Sequence, residues 1–167
     1  PLRLVKSADE IAKLREAARI TDLAFEAAVA MMRPGVTEVE VALELERTMR
    51  LNGADGSAFD IIVASGVRGA MPHGTASQKE LAAGELVTLD FGAVVDGYHA
   101  DMTRTVAIGA VGAEERRLFD AVLESQKAAL AAVGPGKTGR EIDKVARDIL
   151  ADHGMAEQFS HSLGHGT

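Results

Sequence analysis

The sequence has no cysteine. A disulfide scaffold, a thiolate zinc site and a cysteine nucleophile are therefore excluded, and the absence fits a reducing compartment. Basic residues are also short: 18 Lys and Arg stand against 25 Asp and Glu, a formal net charge of -7. Phosphate recognition needs a basic surface, so nucleic acid is not expected as the main partner. No apolar run approaches the roughly 20 residues of a spanning helix, so no membrane partner is expected. The first ten residues, PLRLVKSADE, lack the apolar centre of a signal peptide, and the expected location is cytoplasmic. What remains is an ordinary globular balance, 47% hydrophobic and 26% charged over 167 residues, enough for one domain with a real core. Because the chain begins at Pro1 and stops at Thr167, one or both ends are expected to be cut.

Residues 7–33 read as a helix, with Ser7 and Glu10 in capping-box spacing and Pro34-Gly35 as the stop. Thr37 caps a second helix of about 38–52, with Val39, Leu43, Leu45 and Met49 as its apolar positions and Gly53 as its end. The β-branched stretch 59–63 reads as a strand, and 64–85 as mostly loop. Leu86–Ala93 and Tyr98–Ile108 read as a strand pair around Asp96-Gly97, a strong hairpin signal because a type I′ turn needs positive φ at both central residues. Helices follow over 113–133 and 139–153, the latter closed by Gly154.

Pro34, Gly35, Thr37, Glu40 and Gly53 recur 101 residues later as Pro135, Gly136, Thr138, Glu141 and Gly154. Either helix–Pro-Gly–Thr–helix is common turn chemistry, or the chain carries an internal duplication. On the second reading the first half-repeat covers about 7–110. The second, about 111–167, is incomplete and lacks a hairpin, so Val122, Leu130, Val145 and Ile149 are expected to be exposed.

The hairpin carries the first chemistry. A two-residue loop pairs Val95 with Tyr98, Gly92 with Asp101, and Asp90 with Thr103. Period-two alternation then puts Asp90 and Asp101 on one face, roughly 5–8 Å apart. Two carboxylates so placed need a shared proton, a Lys or Arg, or a metal ion between them, unless both face solvent. Of five histidines, His73, His161 and His165 sit in glycine- or proline-rich contexts that leave the imidazole accessible. His153, before Gly154, is expected to do no more than interact with a helix C-terminus. Carboxylates with an imidazole suit Mn, Fe, Co or Zn, and bridging carboxylates suit a two-metal site.

Residues 84–106, GELVTLDFGAVVDGYHADMTRTV, resemble the core motif of the pita-bread metallopeptidases, which include methionine aminopeptidase and the Xaa-Pro peptidases. Residues 64–74, ASGVRGAMPHG, and 161–166, HSLGHG, resemble the Xaa-Pro branch. The resemblance implies an α+β fold of two pseudo-symmetric αβ halves with an antiparallel sheet, the second half truncated. It implies Asp90 as a bidentate ligand of one metal, Asp101 as a bridge and His165 as a ligand of the other. His73 and His161 would be the catalytic and substrate-binding histidines that stabilise the tetrahedral intermediate. The implied cofactors are two divalent ions, Mn2+ or Co2+, with Zn2+ or Fe2+ as alternatives. Two further glutamate ligands are expected downstream, so this piece alone is expected to be inactive. The implied activity is hydrolysis of the bond between an N-terminal residue and a following proline by a metal-bridging hydroxide. The substrate partner is a peptide or dipeptide with proline second, and the full-length protein is expected to be a homodimer. Methionine aminopeptidase is the alternative within enzymes, and a non-catalytic peptide- or protein-binding module the alternative of another class.

Overall fold

The computed structural model describes residues 3–71 and 74–165. The chain divides into two compact units, Pro1–Val111 and Gly112–Gly166.

In the first unit, helix α1 spans Ala8–Met31 and helix α2 spans Glu38–Leu51. Both begin with a complete capping box, Ser7 with Glu10 and Thr37 with Glu40, which satisfies amides that have no partner inside a helix. Between them Gly35 takes φ +89°, a conformation a side chain would strain. The buried stripe of α1 is Ala17, Ile20, Thr21, Ala24 and Ala28. Its small residues admit the sheet closely enough for the Ala93 amide to donate to Thr21 Oγ1 at 3.0 Å. On α2 the buried apolar residues are Val41, Leu45 and Met49, four apart. Leu43, expected on that face, is 59% exposed. It lies two residues from both Val41 and Leu45, half a turn round the helix.

The strands are β1 (Gly56–Ser57), β2 (Ile62–Ser65), β3 (Leu86–Phe91), β4 (Ala93–Val95), β5 (Tyr98–His99) and β6 (Met102–Ala107). They form two antiparallel three-stranded sheets, ordered β1-β4-β5 and β2-β3-β6. The strand expected over 59–63 starts only at Ile62. The Ala58 amide still donates to Gly92 O at 2.8 Å, so the chain has yet to leave the first sheet for the second. The hairpin turn is as expected, with φ +49° at Asp96 and +79° at Gly97. Val95 pairs with Tyr98 and Asp90 with Thr103. The two long strands expected here are each interrupted, at Gly92 and at Ala100–Asp101. A Cβ on Gly92 would run into the carbonyl of Ala100, so only glycine fits where the two strands close up. Val87, Leu89 and Phe91 alternate along β3 into a core shared with Ile20, Leu45 and Met49.

In the second unit, helix α3 spans Ala113–Ala132 and helix α4 spans Gly139–Asp152. Thr138 and Glu141 form the same capping box as Thr37 and Glu40. The ends of α2 and α4 also match, bond for bond. Gly53 donates to Arg50 O and Ala54 to Met49 O, while Gly154 donates to Ala151 O and Met155 to Leu150 O. Each is a Schellman closure with glycine at positive φ. Ala121, Leu150 and Met155, with Phe159 against them, make a small core. Val122 and Leu130 are 50% and 65% exposed, whereas Val145 and Ile149 are half-buried on α4.

Candidate active site

The ladder between β3 and β6 sets the surroundings of the two aspartates. Phe91 and Met102 face each other and are buried; Asp90 and Thr103, next along, turn away from that core. The Thr103 hydroxyl donates to Asp90 Oδ1 at 3.0 Å, which orients the carboxylate. Asp101 is exposed on the other flank of Met102, and it borders a hollow of about 350 Å³ with His99 and Arg104. The half-burial of Asp90 beside the exposure of Asp101 reflects their places: one lies within a central strand, the other before the first residue of β6.

Next to this sheet lies an ionic network absent from the sequence reading. Glu38, at the start of α2, is wholly buried. Its Oε1 accepts from the amide and hydroxyl of Ser65, both at 2.8 Å. Its Oε2 accepts from the amide and hydroxyl of Ser77 at 3.1 and 2.7 Å, and from Arg68 Nε at 3.0 Å. Burial pushes this carboxyl up, but the hydrogen bonds from Ser77 and Ser65 outweigh it and leave the group below the ordinary glutamate range. Lys79 extends the network, donating to Ser65 Oγ at 2.8 Å and to Glu85 Oε2 at 2.7 Å. Arg68 belongs to the 3-10 helix Gly66–Ala70. Glu38 thus fastens α2 to residues on both sides of Pro72 and His73, which lie outside the described residues. One signal marks it in the sequence: a charged residue three positions before Val41 on the buried stripe of an amphipathic helix.

His161 and His165 line one open cavity of about 820 Å³ in the second unit, together with Ile142, Asp143, Arg147 and Leu163. His161 Nδ1 lies 2.8 Å from Ser162 O. A carbonyl only accepts, so Nδ1 carries the proton; Nε2 then accepts in the neutral ring and donates in the protonated one. Asp143 is held below its ordinary range by Arg147 and by the Leu163 amide. His153 does more than end a helix: its Nε2 lies 2.9 Å from Glu124 Oε2, tying α4 to α3.

Among the described residues, no group of three or more His, Cys, Asp or Glu side chains is gathered to hold a metal ion. Asp90 and Asp101 belong to the first unit and His165 to the second. Carboxylate and imidazole are each ligand types suited to a divalent cation such as Mn2+, Co2+, Fe2+ or Zn2+.

The fold and these residues fit a metallopeptidase. The model of metallopeptidase family M24 matches residues 12–167, and the chain belongs to that family. It is 44% identical over 165 residues to an Xaa-Pro dipeptidase of Pyrococcus horikoshii, covering 99% of this chain and 47% of that protein. Among solved structures it resembles an Xaa-Pro dipeptidase from Bacillus anthracis, at 50% identity and TM-score 0.96, covering 99% of this chain and 46% of that one. It also resembles an X-Pro aminopeptidase from Thermotoga maritima, at 47% identity and TM-score 0.94, covering 99% and 47%. The fold is accordingly the α+β pita-bread fold with antiparallel sheets, and the chain spans about half the length of the curated relatives it matches. No helix among the described residues is long and apolar enough to cross a membrane.

Proposed function

We propose that this chain is part of a dinuclear metallo-exopeptidase that hydrolyses the bond between an N-terminal residue and a following proline. The observation that carries this reading is the chain-long likeness to Xaa-Pro peptidases in both sequence and backbone. Asp90, oriented by Thr103, together with Asp101 and His165, would hold two divalent ions, Mn2+ or Co2+ in the first instance. Bound there, such ions would act as Lewis acids on the scissile carbonyl and make the attacking water more acidic. His161, in the cavity it shares with His165, binds the substrate and donates from Nε2 to the developing oxyanion when protonated. His73 shares that role. The protein acts in the cytoplasm as a homodimer, and residues 1–167 expressed by themselves are inactive.

The test is turnover by the full-length protein loaded with Mn2+ or Co2+. Xaa-Pro dipeptides, longer Xaa-Pro peptides and Met-Ala peptides are compared, and bound metal is counted. Release of the residue before proline, with two ions per chain, is the expected result. Turnover of Met-Ala peptides alone would make it a methionine aminopeptidase. No turnover and no bound metal would make it a binding module.

A further inference from the structure

We infer that Asp143 and Arg147 are the positioning pair that sets the backbone and ring of His161 in the cavity; the inference rests on the peptidase reading above. The chain from Phe159 to His165 lies in neither helix nor strand, so its peptide groups need partners from elsewhere. One face of α4 supplies them. Arg147 donates from Nη1 to Phe159 O at 2.8 Å and from Nη2 to His161 O at 2.6 Å. Its Nε meets Asp143 Oδ2 at 2.6 Å, and Asp143 Oδ1 accepts from the Leu163 amide at 2.9 Å. Alternate residues 159, 161 and 163 are thereby fastened to two side chains one helical turn apart.

Arg147 also packs against an aromatic ring. The Arg147 guanidinium lies 4.5 Å over the Phe159 ring, and Phe159 meets His161 edge-on at 4.8 Å and 84°. Only a guanidinium presents three nitrogens in a planar fork and a flat face for an aromatic ring; an ammonium is one point of charge. The Asp143 and Arg147 side chains are 24% and 39% exposed. The neighbouring pair Lys144–Asp148, of the same spacing, stands out in solvent. That contrast separates a clamp from a surface ion pair.

The full-length, metal-loaded protein carries the test, as Arg147→Lys, Arg147→Met and Asp143→Asn, with Asp148→Asn as control. Each clamp variant is expected to lower kcat on an Xaa-Pro dipeptide about tenfold or more, with KM changed less, because misplacement of a group used in the transition state acts on kcat. Amide hydrogen exchange over 159–163 is expected to rise in the same variants, while exchange within α3 stays as in the wild type. The control changes neither. Normal kcat in folded clamp variants, or unaltered exchange over 159–163, would overturn the inference. Absent wild-type turnover would sink the peptidase reading instead. The exchange of 159–163 would then still decide whether the pair holds the cavity wall, and Arg147→Lys keeps the charge should the harsher variants not fold.

Discussion

The Thr103 hydroxyl donates to Asp90 across the ladder between β3 and β6, 3.0 Å from Oδ1. If Asp90 is a metal ligand, Thr103 is the group that aims it. Groups of this kind change metal affinity about 10- to 100-fold when removed. Thr103→Val keeps the β-branched shape and deletes only the donor. Full-length protein with this change is expected to need about that much more Mn2+ for half-maximal activity. Metal titration by calorimetry checks it, and an unchanged affinity would remove Thr103 from the site.

Asp101 is the residue proposed to bridge two ions. Asp101→Ala in the full-length protein is expected to abolish turnover and remove most bound metal. Helix and sheet content should persist, because Asp101 is exposed outside the core. Metal analysis with far-ultraviolet circular dichroism checks this; full metal stoichiometry with normal turnover would assign the bridge elsewhere.

Glu38 sets a pH dependence of stability. Its folded pKa is lowered, so its contribution is complete above the unfolded carboxylate value of about 4.3 and is lost as pH falls through the folded value. Glu38→Ala leaves Arg68 and two serines facing an empty site and is expected to cost about 3–5 kcal/mol at neutral pH. Glu38→Gln keeps the shape without the charge. Its stability deficit against wild type should shrink as urea unfolding is moved from neutral pH to below about pH 4. A deficit independent of pH would show that the charge of Glu38 is not what stabilises the network.

Gly92, two residues after Asp90, is the break in the first hairpin strand. Its missing Cβ is replaced by the Ala100 carbonyl, a backbone atom that cannot swing aside. Gly92→Ala is therefore expected to cost about 1–3 kcal/mol, by the overpacking rule. If Asp90 and Asp101 hold metal, it should weaken metal binding as well, since the chain at Ala100–Asp101 must move away from the strand that bears Asp90. Thermal unfolding and metal titration of one sample give both numbers; a neutral result would mean that the strands separate freely here.

Much of the local architecture is written in neighbouring residues. Ser7 with Glu10, Thr37 with Glu40 and Thr138 with Glu141 are each three positions apart, and each closes its capping box whatever the rest of the chain does. Asp96-Gly97 reads as a turn because only such residues tolerate positive φ in succession, and the turn then dictates that Asp90 meets Thr103. The register of Asp90 was legible for that reason, and the long motifs around it resemble those of the metallopeptidase family to which the chain belongs.

The tertiary structure decided what depends on partners distant in the chain. Glu38 reads as an ordinary first-turn acid, and only folding brings Ser65 and Ser77 to it, 27 and 39 residues away. Leu43 and Val41 look alike as apolar positions, and only the packing of α2 on the sheet exposes one and buries the other. The start of β2 at Ile62 follows from the Ala58 bond to Gly92, a contact between segments far apart in the chain. Asp143 and Arg147 pass for one more surface pair until the chain after α4 folds back and offers Arg147 two carbonyls and Asp143 an amide. Capping and turn energies act between residues a few positions apart, so composition and spacing reveal them. Burial and buried ionic bonds act between surfaces that meet only once the chain has folded.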